Sequence, residues 1–343
     1  MNYSKKILLL FLIVFIWFRV SKNNKSGGGK FYHQLNSVTC QRSRISSYKK
    51  LYPTPLSIRF MKPPLMAKIM KQKHQKYLFR FAPLESKLRK CSEEKKRLEC
   101  YQSNLLYFTS SEKEWLNNLL TEKIPIIFQK FPRAPLVHWN LVKFQELESN
   151  MPHTFDRYIM ISQSILDNWI KNDQRSSAIE TLLHEKIHVD QRLFSRNYHI
   201  LYRHYWKFHY GYQLDGQIKN HPVLHRYQRV NPDGMNLSWI FVNSKSDWVL
   251  PIALLKKNAT SIREVEIYAI PIDKKNSQLS TQSQWTLLSE YPDFVNFFGP
   301  QTNLYYHPNE ISAVMIPKIL LDLDFKQYPG FKRLMYWCYR YWS

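Results

Sequence analysis

The chain has 343 residues, 44% of them hydrophobic, so it is long enough to bury at least one sizeable core. Lysine and arginine total 50 against 26 acidic residues, and the formal net charge is +24. This balance excludes an acidic, solvating chain and indicates a negatively charged partner, such as nucleic acid or an anionic membrane surface. An AT-rich coding sequence is the alternative explanation, because the basic residues do not collect in one recognition motif.

The first predicted element is the apolar segment 7–18, which follows Lys5 and Lys6 and precedes Arg19. Its length is short for a membrane span and typical of the core of a signal peptide. No small-residue cleavage site follows cleanly, which favours a retained membrane anchor at 1–20 over a cleaved signal. Basic residues are somewhat more numerous after the segment than before it. The positive-inside rule therefore predicts a membrane-anchored protein whose main domain is cytosolic.

Residues 21–107 are predicted to form a basic tether and helical region, beginning with three consecutive glycines at 27–29. The lysine-rich stretch from Lys68 to Lys76 is a candidate contact for nucleic acid or lipid head groups, although a solvated charged helix is the simpler interpretation. Cys91 and Cys100 bracket a charged run and would pair in an oxidising compartment. The sequence leaves their redox state open.

A compact domain, residues 108–343, is predicted to begin with a helix. Ser111 and Glu114 have the spacing of a capping box and predict where that helix starts. Apolar periodicity predicts the elements that follow: strands at 136–144 and 157–162, and a short helix at 164–170.

The next predicted helix, residues 178–194, carries the pattern His184-Glu185-x-x-His188. Ser177 and Glu180 have capping-box spacing, and apolar residues then recur with a helical period. Positions i and i+4 of a helix share one face, so the two imidazoles can bind one metal ion. The glutamate between them can reach a metal-bound water. The alternative is a helix with two ordinary histidines, which a pair flanking a glutamate disfavours.

Downstream of this helix the sequence predicts mainly strands. Asn231-Pro-Asp-Gly indicates a tight turn, and the strands are predicted at 237–242, 248–255 and 265–272. Asn236-Leu-Ser and Asn258-Ala-Thr are glycosylation sequons, which matter only if the domain is lumenal.

The C-terminal part is predicted to be helical and aromatic. Pro308 is suited to the first turn of a helix, which Pro317 should bend or break. The aromatic segment 331–342 is expected to pack on the core.

A catalytic zinc site needs a third protein ligand besides two histidines. Phe194 lies where a metzincin has its third histidine, so that class is excluded. His204 is one remaining candidate, and Glu264 and Glu266 are others, although their stretch alternates like a strand. Glu310 is favoured, because it lies in the first turn of a predicted helix, where the macrodipole stabilises a carboxylate.

Two segments, 182–191 and 307–313, resemble the zinc-binding segments of gluzincin metallopeptidases. The resemblance covers about residues 108–324, and the stretch 231–239 is similar to zinc-peptidase-like proteins of large DNA viruses. The resemblance implies an α+β, zincin-like domain: a small mixed sheet, the motif helix and a C-terminal helical part. It also implies that His184, His188 and Glu310 hold Zn²⁺. The spacer of about 120 residues between His188 and Glu310 is long for this class.

The resemblance further implies a zinc endopeptidase with a polypeptide substrate, and the predicted anchor at 1–20 would tether it to a membrane, that of a host cell or a virion. Glu185 would activate the water that attacks the peptide bond. Tyr306, with Tyr305 and His307 as alternatives, would donate a hydrogen bond to the oxyanion. The alternative function is a catalytically degenerate basic protein that binds nucleic acid or an anionic membrane.

Overall fold

The computed structural model describes residues 56–72, 81–230, 233, 238–300, 305–323 and 328–343. The predicted anchor, the three glycines and part of the lysine-rich stretch lie outside these residues. None of the helices in the described part combines the length and the apolar character that a bilayer span requires. Residues 52–343 form one compact unit.

The unit mixes strands and helices, as the predicted α+β class requires. The strands are β1 (Ser57–Phe60), β2 (Leu105–Leu106), β3 (His138–Phe144), β4 (His153–Phe155), β5 (Tyr158–Ser162), β6 (Phe208–Tyr210), β7 (Trp239–Val242), β8 (Trp248–Leu255), β9 (Val265–Asp273), β10 (Gln278–Leu279) and β11 (Thr286–Leu287). The α-helices are α1 (Pro63–Gln72), α2 (Pro83–Leu88), α3 (Arg97–Ser103), α4 (Ser110–Lys130), α5 (Gln163–Lys171), α6 (Arg175–Leu193), α7 (Ser195–Ile200), α8 (Leu214–Asn220), α9 (Pro222–Tyr227), α10 (Pro292–Phe298), α11 (Pro308–Leu320) and α12 (Pro329–Trp342).

The first sheet has the strand order β1-β3-β5-β4, and β2 pairs with the end of β3. The strands β1, β3 and β5 are parallel, whereas β4 runs antiparallel to β5 and forms an edge. The helix α6 contacts both β4 and β5. The HExxH helix therefore lies against the antiparallel edge of this sheet.

The second sheet is antiparallel, with the order β10-β9-β8-β7-β6, and β11 pairs with β9. The predicted strand at 248–255 is confirmed, and the one at 265–272 extends by one residue to Asp273. The long apolar run of the first strand and the alternation of the second made both predictable from the sequence.

The compact unit begins well before residue 108, where the sequence placed its start. Strand β1 pairs in parallel with β3, Ser57 lying opposite His138. Arg89, after α2, is buried between the carboxylates of Glu85 and Glu148. A four-residue strand that pairs with a distant partner has no local signature, so the sequence did not reveal this extension.

The described part of the lysine-rich stretch is helix α1, on which Lys68 and Lys71 are exposed. The simpler interpretation of this stretch, a solvated charged helix, fits these two residues.

Helix α6 starts earlier than the predicted capping box. It begins at Arg175, its N-cap is Gln174, and no side chain caps it. The N–H of Ala178 donates to the carbonyl of Gln174, so Ser177 already lies within the helix and cannot cap it. The apolar periodicity was right, because Leu182, Leu183 and Ile187 are fully buried in the main core.

The capping box of α4 also lies two residues before its predicted place. Thr109 accepts from the N–H of Glu112, and the Glu112 carboxylate accepts from the N–H of Thr109. Overlapping Ser, Thr and Glu residues offer both registers, and the tertiary structure selects this one.

Helix α11 packs along α6 and starts at Pro308, with His307 as its N-cap. Pro317 does not break the helix, which continues to Leu320, and the alternative expectation of a bend stays a prediction. A proline cannot donate to the carbonyl four residues earlier, here that of Ala313. That carbonyl has another partner in the site described next.

Candidate metal centre

The two histidines of the HExxH pattern meet on one face of α6. Their Nε2 atoms lie 3.1 Å apart, as positions i and i+4 allow. The His188 side chain is fully buried and that of His184 is 18% exposed. The pair thus has one buried end and one end open to solvent.

Glu310 completes the group from the first turn of α11. Its Oε1 lies 3.3 Å from His188 Nε2 and its Oε2 lies 3.6 Å from His184 Nε2. The carboxylate is 3% exposed, at the positive end of the helix dipole. The predicted ligands His184, His188 and Glu310 are therefore brought together, and the group could hold a metal ion.

The distances within this group fit a small cation. Ligand atoms about 2.0–2.2 Å from a tetrahedral ion lie about 3.4 Å from one another. The three measured separations are 3.1, 3.3 and 3.6 Å. Two imidazole nitrogens and one carboxylate oxygen are also a donor set that several divalent metals accept.

The other predicted ligand candidates lie outside the group. His204 is exposed within a π-helical turn, Leu201–Tyr205. Glu264 accepts hydrogen bonds from Thr260, and Glu266 accepts one from Tyr268. They are wrong as ligands because their elements direct them to neighbours in the second sheet or to solvent.

Gln191 connects the two helices behind His188. Its Oε1 accepts from His188 Nδ1 at 3.0 Å, while its Nε2 donates to the Asn309 carbonyl and to Ser312 Oγ at 2.8 and 3.0 Å. Because the amide nitrogen already faces two acceptors, the oxygen must face the ring. Nδ1 therefore carries a proton, and Nε2 is the ring nitrogen that faces Glu310.

His184 has a comparable partner on α11. The Ala313 backbone hydrogen-bonds its ring, and Pro317 leaves that carbonyl without its usual partner in the helix. Burial and the neighbouring His188 lower the pKa of His184 to about 4, so this ring is neutral and able to ligate. For His188, burial lowers the pKa, but Glu310 outweighs it and the net direction is upward.

Glu185 is buried beside this group, and its Oε2 has no hydrogen-bond partner among the described residues. Burial, Asp233 and Glu310 raise the pKa of Glu185 well above its ordinary value, against the effect of Arg192. Three carboxylates therefore crowd one buried region. A divalent cation would balance such charge.

Asp233 is a site residue that sequence reasoning treated only as part of a turn. Its Oδ1 accepts from both the N–H and the hydroxyl of Thr154, each at 2.6 Å, and lies 3.9 Å from an Arg192 nitrogen. Thr154 is the middle residue of β4. Asp233 thus holds the edge strand beside the metal group.

The predicted oxyanion donors lie just before α11. Tyr306 is buried. Tyr305 is half-buried, and its burial, together with the charge of Glu180, raises the pKa of Tyr305. His307 uses Nδ1 to accept from the N–H of Asn309 as the helix cap. Tyr306 as oxyanion donor stays a prediction.

Gln191 is the residue whose role the sequence could have revealed. It lies three positions after His188, on the same helix face, so its side chain can reach that ring. Asp233 had no such signal, since its partners come from distant segments.

No protein-family model, curated protein or solved structure matches this chain.

Proposed function

We propose that this protein is a zincin-like, zinc-dependent endopeptidase. The observation that carries the proposal is the convergence of His184, His188 and Glu310 from two helices, with the Glu185 carboxylate buried beside them. The antiparallel edge strand β4, which α6 contacts, supports the zincin arrangement.

Zinc is the proposed metal because of the donor set. Two imidazoles and one carboxylate are the three protein ligands of several catalytic zinc sites, in which a fourth position is left for water or substrate. The 18% exposure of His184 supports access from solvent on that side.

The proposed chemistry assigns one role to each residue. His184, His188 and Glu310 hold the ion, and Gln191 orients the His188 ring. Zinc held there would supply Lewis-acid chemistry, polarising the scissile carbonyl and making water more acidic. Glu185 takes a proton from the attacking water and gives it to the leaving amine.

A polypeptide is the proposed substrate. An extended peptide can add to a sheet edge through main-chain hydrogen bonds, and β4 is such an edge next to α6. At this edge the N–H of Thr154 donates to Asp233. A substrate strand aligned here would compete with Asp233 for that donor.

The test compares Glu185→Gln with a matched control, Glu180→Gln, on the same helix. Purified proteins loaded with zinc are assayed on an unfolded polypeptide, with and without a chelator. Glu185→Gln should keep zinc and lose hydrolysis by roughly 10²–10⁴-fold, because the proton acceptor is gone. Glu180→Gln should stay active. Undiminished hydrolysis by Glu185→Gln would contradict the proposal.

A further inference from the structure

Residues 258–260, Asn-Ala-Thr, form a glycosylation sequon that the metal centre does not involve. We propose that Asn258 carries an N-linked glycan and that the compact unit, residues 52–343, matures in an oxidising, secretory compartment. Two features support this: the position of the sequon in the second sheet and a disulfide elsewhere in the unit. The placement of the free thiol is compatible with it.

Asn258 lies at the tip of the β8–β9 hairpin. The N–H of Ala259 donates to the Lys256 carbonyl at 3.0 Å, which makes a tight turn with Asn258 at its third position. Asn258 and its neighbours Lys256 and Lys257 are exposed. A glycan on this side chain would extend into solvent without displacing any core residue.

The third sequon residue is also accessible. Thr260 is exposed, and its hydroxyl donates to Glu264 Oε1 at 2.7 Å across the base of the turn. Ala259 at the middle position is not proline, so the sequon is of the accepted kind.

Cys91 and Cys100 form a disulfide with a Cα–Cα distance of 5.8 Å. Such bonds persist in secretory and extracellular compartments and are rare in reducing ones. Formation removes two electrons and two protons from the two thiols. A disulfide-bearing oxidoreductase takes them by thiol–disulfide exchange.

Cys338, the free cysteine in the described part of the chain, is fully buried in the core. Its burial raises the pKa of the thiol well above the ordinary value. A thiol that is buried and uncharged cannot attack a disulfide. The folded unit is therefore compatible with an oxidising compartment without mispairing at this position.

The apolar segment 7–18 would direct the chain into that compartment, as either a cleaved signal or a retained anchor. The charge bias around this segment predicted a cytosolic domain, but the difference between its two sides is only a few basic residues. The disulfide and the exposed sequon favour the opposite side of the membrane.

In the modification, the Asn258 amide nitrogen forms a bond to the anomeric carbon of a lipid-linked oligosaccharide. The sugar–phosphate bond breaks, the lipid pyrophosphate leaves, and the amide loses one proton. The reaction occurs during translocation, before the hairpin folds. The folded state needs only to leave the side chain outside, as it does here.

The test uses the full chain produced in eukaryotic cells. Its gel mobility is compared before and after treatment with an enzyme that removes N-linked glycans. Wild type should run faster after treatment. Before treatment, Asn258→Gln and Thr260→Ala should each migrate faster than wild type by the mass of one glycan. Thr260→Ser should have the mobility of wild type. An enzyme-insensitive wild type, or an Asn258→Gln variant with wild-type mobility, would overturn the assignment.

A second measurement tests the compartment. The denatured full chain is labelled with a thiol-reactive polymer before and after reduction, beside a Cys91→Ser/Cys100→Ser control. Wild type should gain two labels on reduction that the control does not gain. Labelling of both thiols before reduction would overturn the proposed oxidising compartment, whatever the zinc content.

Discussion

Replacing Gln191 with methionine should weaken metal binding and lower the free energy of unfolding. The side chain is 1% exposed and makes three hydrogen bonds, to His188, the Asn309 carbonyl and Ser312. Ser312 Oγ also contacts Tyr202 and donates to backbone carbonyls, one of them that of Asn309. The His188 Nδ1–H is therefore the group left without a partner.

The magnitude follows from these contacts. One orphaned buried donor costs about 1–3 kcal/mol, and each bond lost by a group with another partner costs about 0.5–1.5 kcal/mol. The free energy of unfolding of Gln191→Met should thus fall by roughly 2–6 kcal/mol. Loss of a partner that orients a ligand costs about 10–100-fold in metal affinity.

Urea denaturation with a chelator present measures the first effect, and zinc competition against a fluorescent chelator measures the second. Gln191→Glu retains an acceptor for His188 Nδ1 but loses the donors to α11. It should lose stability yet bind zinc at least about tenfold more tightly than Gln191→Met. Gln217 is the matched control: it bonds Ser277 and Leu279 in the second sheet, so Gln217→Met should change stability alone. Wild-type zinc affinity in Gln191→Met would refute the orienting role.

Three further outcomes are expected. Lys143→Met leaves the buried Glu112 carboxylate without its cation and should lower the free energy of unfolding in urea by about 3–5 kcal/mol. In the wild type, burial raises the pKa of Glu112, but the hydrogen bonds from Lys143 and Thr109 outweigh burial and the net pKa is lowered. Its contribution is full above pH 4.5 and is lost as the pH falls through the lower folded value, so the wild-type advantage should shrink in acid. Pro317→Ala restores a helix donor and should stabilise α11 by up to about 3 kcal/mol, while competing with His184 for a carbonyl and weakening zinc binding. A chain that starts at residue 108 lacks β1 and should not fold, whereas one that starts at 52 should; a folded, zinc-binding product from 108 would contradict the extended boundary.

The sequence predicted the elements whose signal is local. The apolar run of β8 appeared at its true bounds and the helical period of α6 over most of its length, because burial on one or both faces imposes those patterns. The starts of α4 and α6 were wrong, since several Ser and Thr residues offered a cap and only the preceding chain path decides between them.

A site residue could be predicted from the sequence when its own type and spacing indicated its chemistry. His184 and His188 form a spaced pair, and Glu310 follows a helix-starting proline, so all three were expected. Asp233 and its contact with Thr154 were not, because a lone aspartate in a turn-forming stretch has the same local signature whether it is solvated or buried.

Metal content of the purified protein tests the central claim most directly, namely that α6 and α11 together form a metal centre. Wild type should contain about one equivalent of zinc per chain, as a single three-ligand site requires. A His184→Ala/His188→Ala variant should contain none, while His204→Ala/His209→Ala, which removes two exposed histidines, should retain it. Zinc retained by the first variant, or lost equally by both, would contradict the account.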